Sequence, residues 1–298
     1  MRDEITPFSR GTKDQPLSAA KPMTQAEFSR FSNFIVGQCG IKMPPSKKIM
    51  LESRLQKRLR TLGIGSYHEY FEHIQSREGH GELVHMLDAV TTNKTDFFRE
   101  PGHFQFLTNS VLPAFLDGRG EMRSSEHYFR IWSAGCASGE EPYTLAMVLA
   151  DFSDHHPDFR FAVLATDIST KVLDRAREAV YDEDRTSGVP LPLKQKYFLR
   201  SKDRRRGLLR IVPDLRAIVQ FQRVNLMDEG LVAPEPFDAI FCRNVIIYFE
   251  RGTQERLLQR FCRMLRPGGY LFLGHSESIH GFDLPLTRVT STVHRRCG

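Results

Sequence analysis

No stretch of this chain stays apolar long enough to cross a membrane, and the opening residues MRDEITPFSRGTKDQP lack the apolar centre of a secretory leader. A cytoplasmic protein without direct membrane insertion is the expectation. Cysteine is sparse too: five residues, at positions 39, 136, 242, 262 and 297, show no paired metal-ligand spacing. This odd, scattered set fits reduced thiols and predicts no metal centre. The glycine-rich dinucleotide fingerprint is missing, which leaves a pyrophosphate without a cradle and disfavours an oxidoreductase. Ser138 has no glycine two residues before it, so it does not sit in the nucleophile elbow of a hydrolase. The chain shows no internal repeat.

What is present is enough for two cores. The chain has 298 residues, 40% of them hydrophobic. Residues 1–22 are polar, carry Pro7, Pro16 and Pro22, and lack periodicity, which predicts a disordered tail. Folding should begin at Thr24 and Glu27, spaced as a capping box ahead of Phe28, Phe31, Phe34 and Ile35 on one helical face. Further helices are predicted from Ser46 to Gly63, from Ser66 to near Gly79, and over Glu82 to Ala89. Residues 23–91 therefore read as an all-α domain. Residues 92–128 read as a linking region with a helix from Asp96 to Asp117, and residues 129–298 as an α/β domain.

The α/β pattern is plainest late in the chain. FDAIFCRNVIIYF, Phe237 to Phe249, opens with an acidic residue and a buried apolar strand, then breaks into polar Arg243 and Asn244 where a parallel strand should meet its ligand. After one helix length, Pro267-Gly268-Gly269 turns the chain into the apolar strand Tyr270 to Leu273. Upstream, FRIWSAG feeds a glycine-bearing turn and a helix, and Phe161 to Thr166 forms a second strand that ends in Asp167. An acidic residue there is the usual partner of a ribose hydroxyl pair. A late antiparallel strand is expected around Arg288 to Arg295.

Six motifs in order, TTNKTDFFRE, SAGCASGEEPYTLA, ATDIS, VNL, FCRNVIIYF and GHSES, resemble the bacterial chemotaxis receptor methyltransferase family, CheR. The similarity runs from about Thr24 to about Arg295. It implies a Rossmann-like class I methyltransferase sheet with an N-terminal all-α domain and a small antiparallel β insert. It also implies methyl transfer from S-adenosylmethionine to glutamate side chains on the cytoplasmic helices of chemoreceptors, leaving S-adenosylhomocysteine. Carried over by position, Asn93, Thr95 and Arg99 would contact the cofactor. Glu141 and Asp167 would take its amino group and ribose hydroxyls, in an order the resemblance leaves open. Asn225 and Leu226 would flank the adenine, and Arg243 and Asn244 would close the site beneath the sulfonium. Arg99 and Tyr248 are the expected catalytic residues. Each has a plainer reading: Asn93 and Thr95 as helix caps, Glu141 as a first-turn acid, Tyr248 as a core aromatic.

The chemistry agrees with this inventory. A glutamate carboxyl has an ordinary pKa of about 4.3, so the acceptor is already charged near neutral pH and needs no general base. Such an enzyme must position and desolvate its reactants. A guanidinium can hold a carboxylate with two hydrogen bonds, and a phenol can donate to it.

Two basic clusters bear on partners. On the second helix Leu51, Leu55, Leu59 and Leu62 form an apolar spine, while Arg54, Lys57 and Arg58 point elsewhere. With Lys47, Lys48 and Arg60 they oppose only Glu52, which suggests either a surface for an acidic partner such as a glutamate-bearing receptor helix, or a solvated face. The second cluster, SKDRRRG, precedes Leu208 to Val212 and Ile218 to Val224, predicted as a β insert at about 200–223. In the family such an insert can dock a receptor's C-terminal peptide by strand addition. Ser201 to Arg206 departs from the glycine-bearing loop of members that use this mode, and an edge protected by charge is the alternative. A monomer is expected. The 42 Lys and Arg against 36 Asp and Glu, a charge of +6, keep an RNA or DNA methyltransferase as the rival. Against it, the chain lacks an aromatic base-stacking signature, and RNVIIY stands where an Asn-Pro-Pro-aromatic loop would be. A methyltransferase-like module that binds without turnover is the other alternative.

Overall fold

The computed structural model describes residues 21–118, 128–230 and 235–298. The predicted tail, up to residue 20, lies outside the described residues. The first domain holds four helices, α1 (Gln25–Cys39), α2 (Lys48–Leu62), α3 (Tyr67–Gln75) and α4 (His80–Val90). Thr24 and Glu27 close a reciprocal capping box on α1, and Gly40, at φ 73°, ends it in the left-handed conformation that glycine adopts without strain. Phe28, Phe31 and Ile35 pack against Leu51, Leu55 and Leu59 of α2 and Tyr67, Tyr70 and Phe71 of α3. Each such buried side chain contributes roughly 1.5–3 kcal/mol. Leu62, expected in the α2 spine, is exposed in the last turn of the helix.

The linking region departs from expectation. Instead of one helix from Asp96, the chain runs without regular structure through residues 91–96 and turns over residues 97–101. Helix α5 (Gly102–Phe106) and α6 (Leu112–Gly118) follow, joined by a π-helical segment, Leu107–Val111. Phe98 and Glu100 both take positive φ, which no helix accommodates, and Pro101 then serves as the N-cap residue.

The second domain follows as β1 (Phe129–Ala134), α7 (Glu140–His155), β2 (Phe161–Asp167), α8 (Thr170–Glu178), β3 (Val180–Asp182), α9 (Leu191–Tyr197), β4 (Phe198–Arg200), β5 (Leu208–Ile211), α10 (Pro213–Ile218), β6 (Val219–Arg223), β7 (Phe237–Cys242), α11 (Arg251–Met264), β8 (Leu265–Leu273), β9 (Leu286–Arg288) and β10 (Val293–Arg296). The main sheet runs β6-β2-β1-β7-β8-β10-β9. Its first five strands are parallel, and β10 is antiparallel to both neighbours. The chain steps from β1 to β2 on one side and, after β6, crosses to β7 on the other side of β1, so a crevice opens above the carboxyl ends of β1 and β7.

The β insert needs correcting. The three-stranded antiparallel sheet is β3-β5-β4, spanning Val180 to Ile211, whereas Val219–Arg223 pairs in parallel with β2 at the edge of the main sheet. An edge strand with one wet face alternates just as an insert strand does, and β3 and β4 are only three residues each, too short for a pattern to show. No helix among the described residues is long and apolar enough to cross a membrane.

Candidate active site

The crevice begins where β1 ends. Gly135 takes φ +83°, and a Cβ there would lie 2.5 Å from Val245 Cγ2, so the turn can approach the loop after β7 only with glycine. Across the turn, Ala137 N–H donates to Asp167 Oδ2 at 2.9 Å and Ser169 N–H to Oδ1 at 2.9 Å. Asp167 thereby ties the end of β2 to the turn after β1. Burial pushes its carboxyl up, against the pull of these amides.

Arg243, one residue past β7, joins three segments. Its Nη1 donates to Glu141 Oε2 at 3.0 Å; its Nη2 donates to Glu100 Oε2 at 3.1 Å and to the Arg99 carbonyl. Ser133 Oγ holds the other oxygen of Glu141 at 2.7 Å. The Arg243 side chain is only 2% exposed, and two carboxylates compensate its charge. Asn244 follows in the left-handed region at φ 60°, a strained position for a side-chain-bearing residue. The strain is held by Glu277, which sequence reasoning missed. Its Oε2 accepts from the amides of Asn244 and Gly274, its Oε1 from those of Val245 and Ile246, all at 2.6–2.9 Å. Burial pushes this carboxyl up while the four amides draw it back. GHSES was visible as a motif, but partners some thirty residues upstream give no local signal.

The remaining walls come from the linking segment and the helical domain. Phe97 is buried edge-on against Tyr181 and Phe198 of the insert, and Arg185 Nη2 donates to Thr95 O at 3.2 Å. These contacts lay residues 93–99 along the crevice. Neither Asn93 nor Thr95 caps a helix, since the chain is irregular there; Asn93 Nδ2 donates to Thr91 Oγ1 at 3.2 Å. Arg99 makes a single long hydrogen bond, to Lys94 O at 3.3 Å. Asn225 Nδ2 reaches Gln38 O at 2.7 Å, Lys42 N–H donates to Tyr248 O at 2.8 Å, and Ile41 bridges Phe249. The helical domain is thus sewn to the loop that bears Tyr248.

Together these segments enclose a cavity of about 340 Å³, within the range of small-molecule sites. Asn93, Thr95, Arg99, Glu141, Asp167, Asn225, Leu226, Arg243, Asn244 and Tyr248 all line it. The cavity is lined as well by Lys47, which the sequence placed only in the basic surface of α2 and whose Nζ lies 5.5 Å from the centroid of the Tyr248 ring, and by Cys39, whose thiol burial pushes up to about 11. The predicted substrate residues lie elsewhere. Arg54 Nη1 donates to the carbonyls of Ala89, Val90 and Thr91 at the end of α4, and Arg58 forks onto Glu82 at 2.7 and 2.8 Å. Both are spent inside the helical domain, and only Lys57 of the three is exposed.

Comparison with known proteins decides the family. The CheR methyltransferase SAM-binding domain matches residues 93–294, and the CheR methyltransferase all-alpha domain matches residues 26–91. The chain belongs to the CheR methyltransferase family. Within it, the chain is 41% identical over 260 residues to the chemotaxis protein methyltransferase of Borreliella burgdorferi, covering 87% of this chain and 90% of that one. It is 38% identical over 272 residues to the Escherichia coli chemotaxis protein methyltransferase, covering 91% of each. Chemotaxis protein methyltransferase 2 of Pseudomonas aeruginosa is 40% identical over 273 residues, with 91% and 93% covered. The CheR SAM-binding domain takes in the linking segment, in keeping with the place of residues 93–99 in the cavity wall. The cofactor is S-adenosylmethionine, and the cavity suits it. It offers carboxylates at Glu141 and Asp167, an apolar wall at Leu226 and a turn at Gly135 that leaves room for a ligand. Bound there, the sulfonium supplies an electrophilic methyl group.

Proposed function

We propose that this CheR protein transfers the methyl group of S-adenosylmethionine to glutamate carboxylates on the cytoplasmic helices of chemoreceptors, forming glutamyl methyl esters in the cytoplasm. The observation that carries this reading is the kind of group the cavity presents. Two of its three carboxylates are already committed, Glu141 to Arg243 and Ser133, Asp167 to backbone amides, and the third, Asp96, is exposed. The Cys39 thiol is held protonated by burial. No histidine lines the cavity among the described residues, and an acceptor that arrives charged, as a carboxylate does, needs no general base. Arg99 and Lys47 supply positive charge at the cavity, and Arg99 has hydrogen-bonding capacity left to grip a carboxylate while Tyr248 steers it into line with the sulfonium. Desolvation of the carboxylate on docking then raises its reactivity.

For receptor contact, the basic surface of α2 narrows to exposed Lys57 and Arg60. Edge strands β3 and β4 of the insert are where a receptor's C-terminal peptide would add. The test is transfer of labelled methyl from S-adenosylmethionine to a receptor cytoplasmic fragment, with total RNA as competing acceptor. Label on the fragment that leaves as methanol in mild base is expected. Base-stable label on RNA would instead identify a nucleic-acid enzyme, the rival that the charge of +6 keeps open.

A further inference from the structure

Beside the methyl-transfer cavity, and not among its lining residues, Glu100, His103 and His275 bring three ligand atoms within 4.8 Å of one another. We propose that this cluster binds one divalent transition-metal cation, through His103 Nδ1, His275 Nε2 and a Glu100 carboxylate oxygen. Glu100 Oε2 lies 3.5 Å from His103 Nδ1 and 3.9 Å from His275 Nε2. A tetrahedral centre with bonds of about 2.0–2.1 Å sets its ligand atoms about 3.3 Å apart, so those two edges are long by only about 0.2 and 0.6 Å.

A second observation points the same way. His103 is 4% exposed, and its Nδ1 is buried with no hydrogen-bond partner, facing the other two ligands. Its Nε2 is held by Thr292 Oγ1 at 2.6 Å. When Thr292 accepts from Nε2–H, the lone pair sits on Nδ1. A metal-binding histidine is ordinarily oriented in this way, with its second nitrogen fixed by a protein group. The His275 side chain is 66% exposed, which leaves an approach for the ion and room for a water as fourth ligand. Two imidazoles and one carboxylate favour zinc or cobalt over magnesium or calcium.

Arg243 sets the affinity. Its Nη2 shares Glu100 Oε2 at 3.1 Å, so an arriving cation competes with a buried guanidinium for one oxygen. Binding should therefore be micromolar rather than the far tighter hold of a structural zinc. Because Arg243 also lines the cofactor cavity, occupation of the cluster reaches the cavity wall.

The experiment is titration of the full chain with Co²⁺ alone, without cofactor, followed by visible absorption. Its failure would leave the methyl-transfer reading intact. One equivalent bound with tetrahedral ligand-field bands and no thiolate-to-cobalt band is expected. His275→Ala, at an exposed position, should weaken binding at least tenfold with unchanged circular dichroism. His275→Cys should keep binding and add a thiolate-to-cobalt band. Absence of saturable binding, or binding that both variants leave unaltered, overturns the proposal.

Discussion

Arg99 differs from the other guanidinium at the crevice in being underused. Arg243 is buried and committed to two carboxylates and a carbonyl, whereas Arg99 makes one long bond to a backbone oxygen. Removing Arg99 should therefore spare the fold and harm the reaction. A charge-assisted hydrogen bond to the acceptor contributes about 1.5–3 kcal/mol, so Arg99→Ala should lower kcat/KM by roughly 10- to 150-fold with a thermal midpoint close to wild type. Steady-state kinetics beside a melting curve decide it; equal activity at saturating substrate would sink the role. Glu277 is the reverse case. In Glu277→Gln the new NH₂ faces two of the four amides that the carboxylate accepted, and each orphaned buried donor costs about 1–3 kcal/mol. The expected result is a midpoint several degrees lower, with Asn244 freed from its left-handed conformation and weaker cofactor binding by calorimetry.

The helices of the first domain are joined through a polar knot as well as an apolar core. Arg58 of α2 and Tyr70 of α3 both donate to Glu82 of α4. Burial pushes the Glu82 carboxyl up, but the hydrogen bonds from Arg58 and Tyr70 outweigh it and hold the group below its usual range. A carboxyl with a depressed folded pKa stabilises the domain above its unfolded value of about 4.3 and loses that contribution as pH falls through the folded value. Chemical denaturation of wild type and Glu82→Gln between pH 7 and pH 3 should show a wild-type advantage near neutrality of roughly 1.5–3 kcal/mol that shrinks below about pH 4. An advantage independent of pH would argue against the ion pair. The insert has its own structural task at this scale: through Phe97 and Arg185 it presses residues 93–99 against the crevice.

Across the whole molecule, the cavity is shared between domains. Gln38, Ile41 and Lys42 of the helical domain bond to Asn225, Phe249 and Tyr248 of the sheet domain, and Cys39 and Ile41 line the cavity itself. A ligand that fills it should stabilise both. At 100 times its dissociation constant, S-adenosylhomocysteine should add about 2.7 kcal/mol, and calorimetry should show the unfolding of both domains moving upward. A shift confined to the sheet domain would deny the helical domain a part in the site.

Local chemistry alone determined much of this protein. Caps at Thr24 and Ser66, the glycine stop at Gly63, the buried strand before Arg243 and the acid after β2 depend on neighbours in sequence, and they were legible there. Ordered motifs likewise named the residues that the fold gathers round one cavity. Tertiary structure alone decided which charges were free. Arg54 and Arg58 looked like surface until α4 supplied their partners. Val219–Arg223 looked like insert until β2 took it as an edge strand. Glu277, Glu100 and His275 stood inside visible motifs, but their roles carried no signal in sequence, because the groups they meet across the crevice are brought near only when the sheet closes. A side chain's type sets what it can bond; the partner it bonds is a matter of distance in the folded chain.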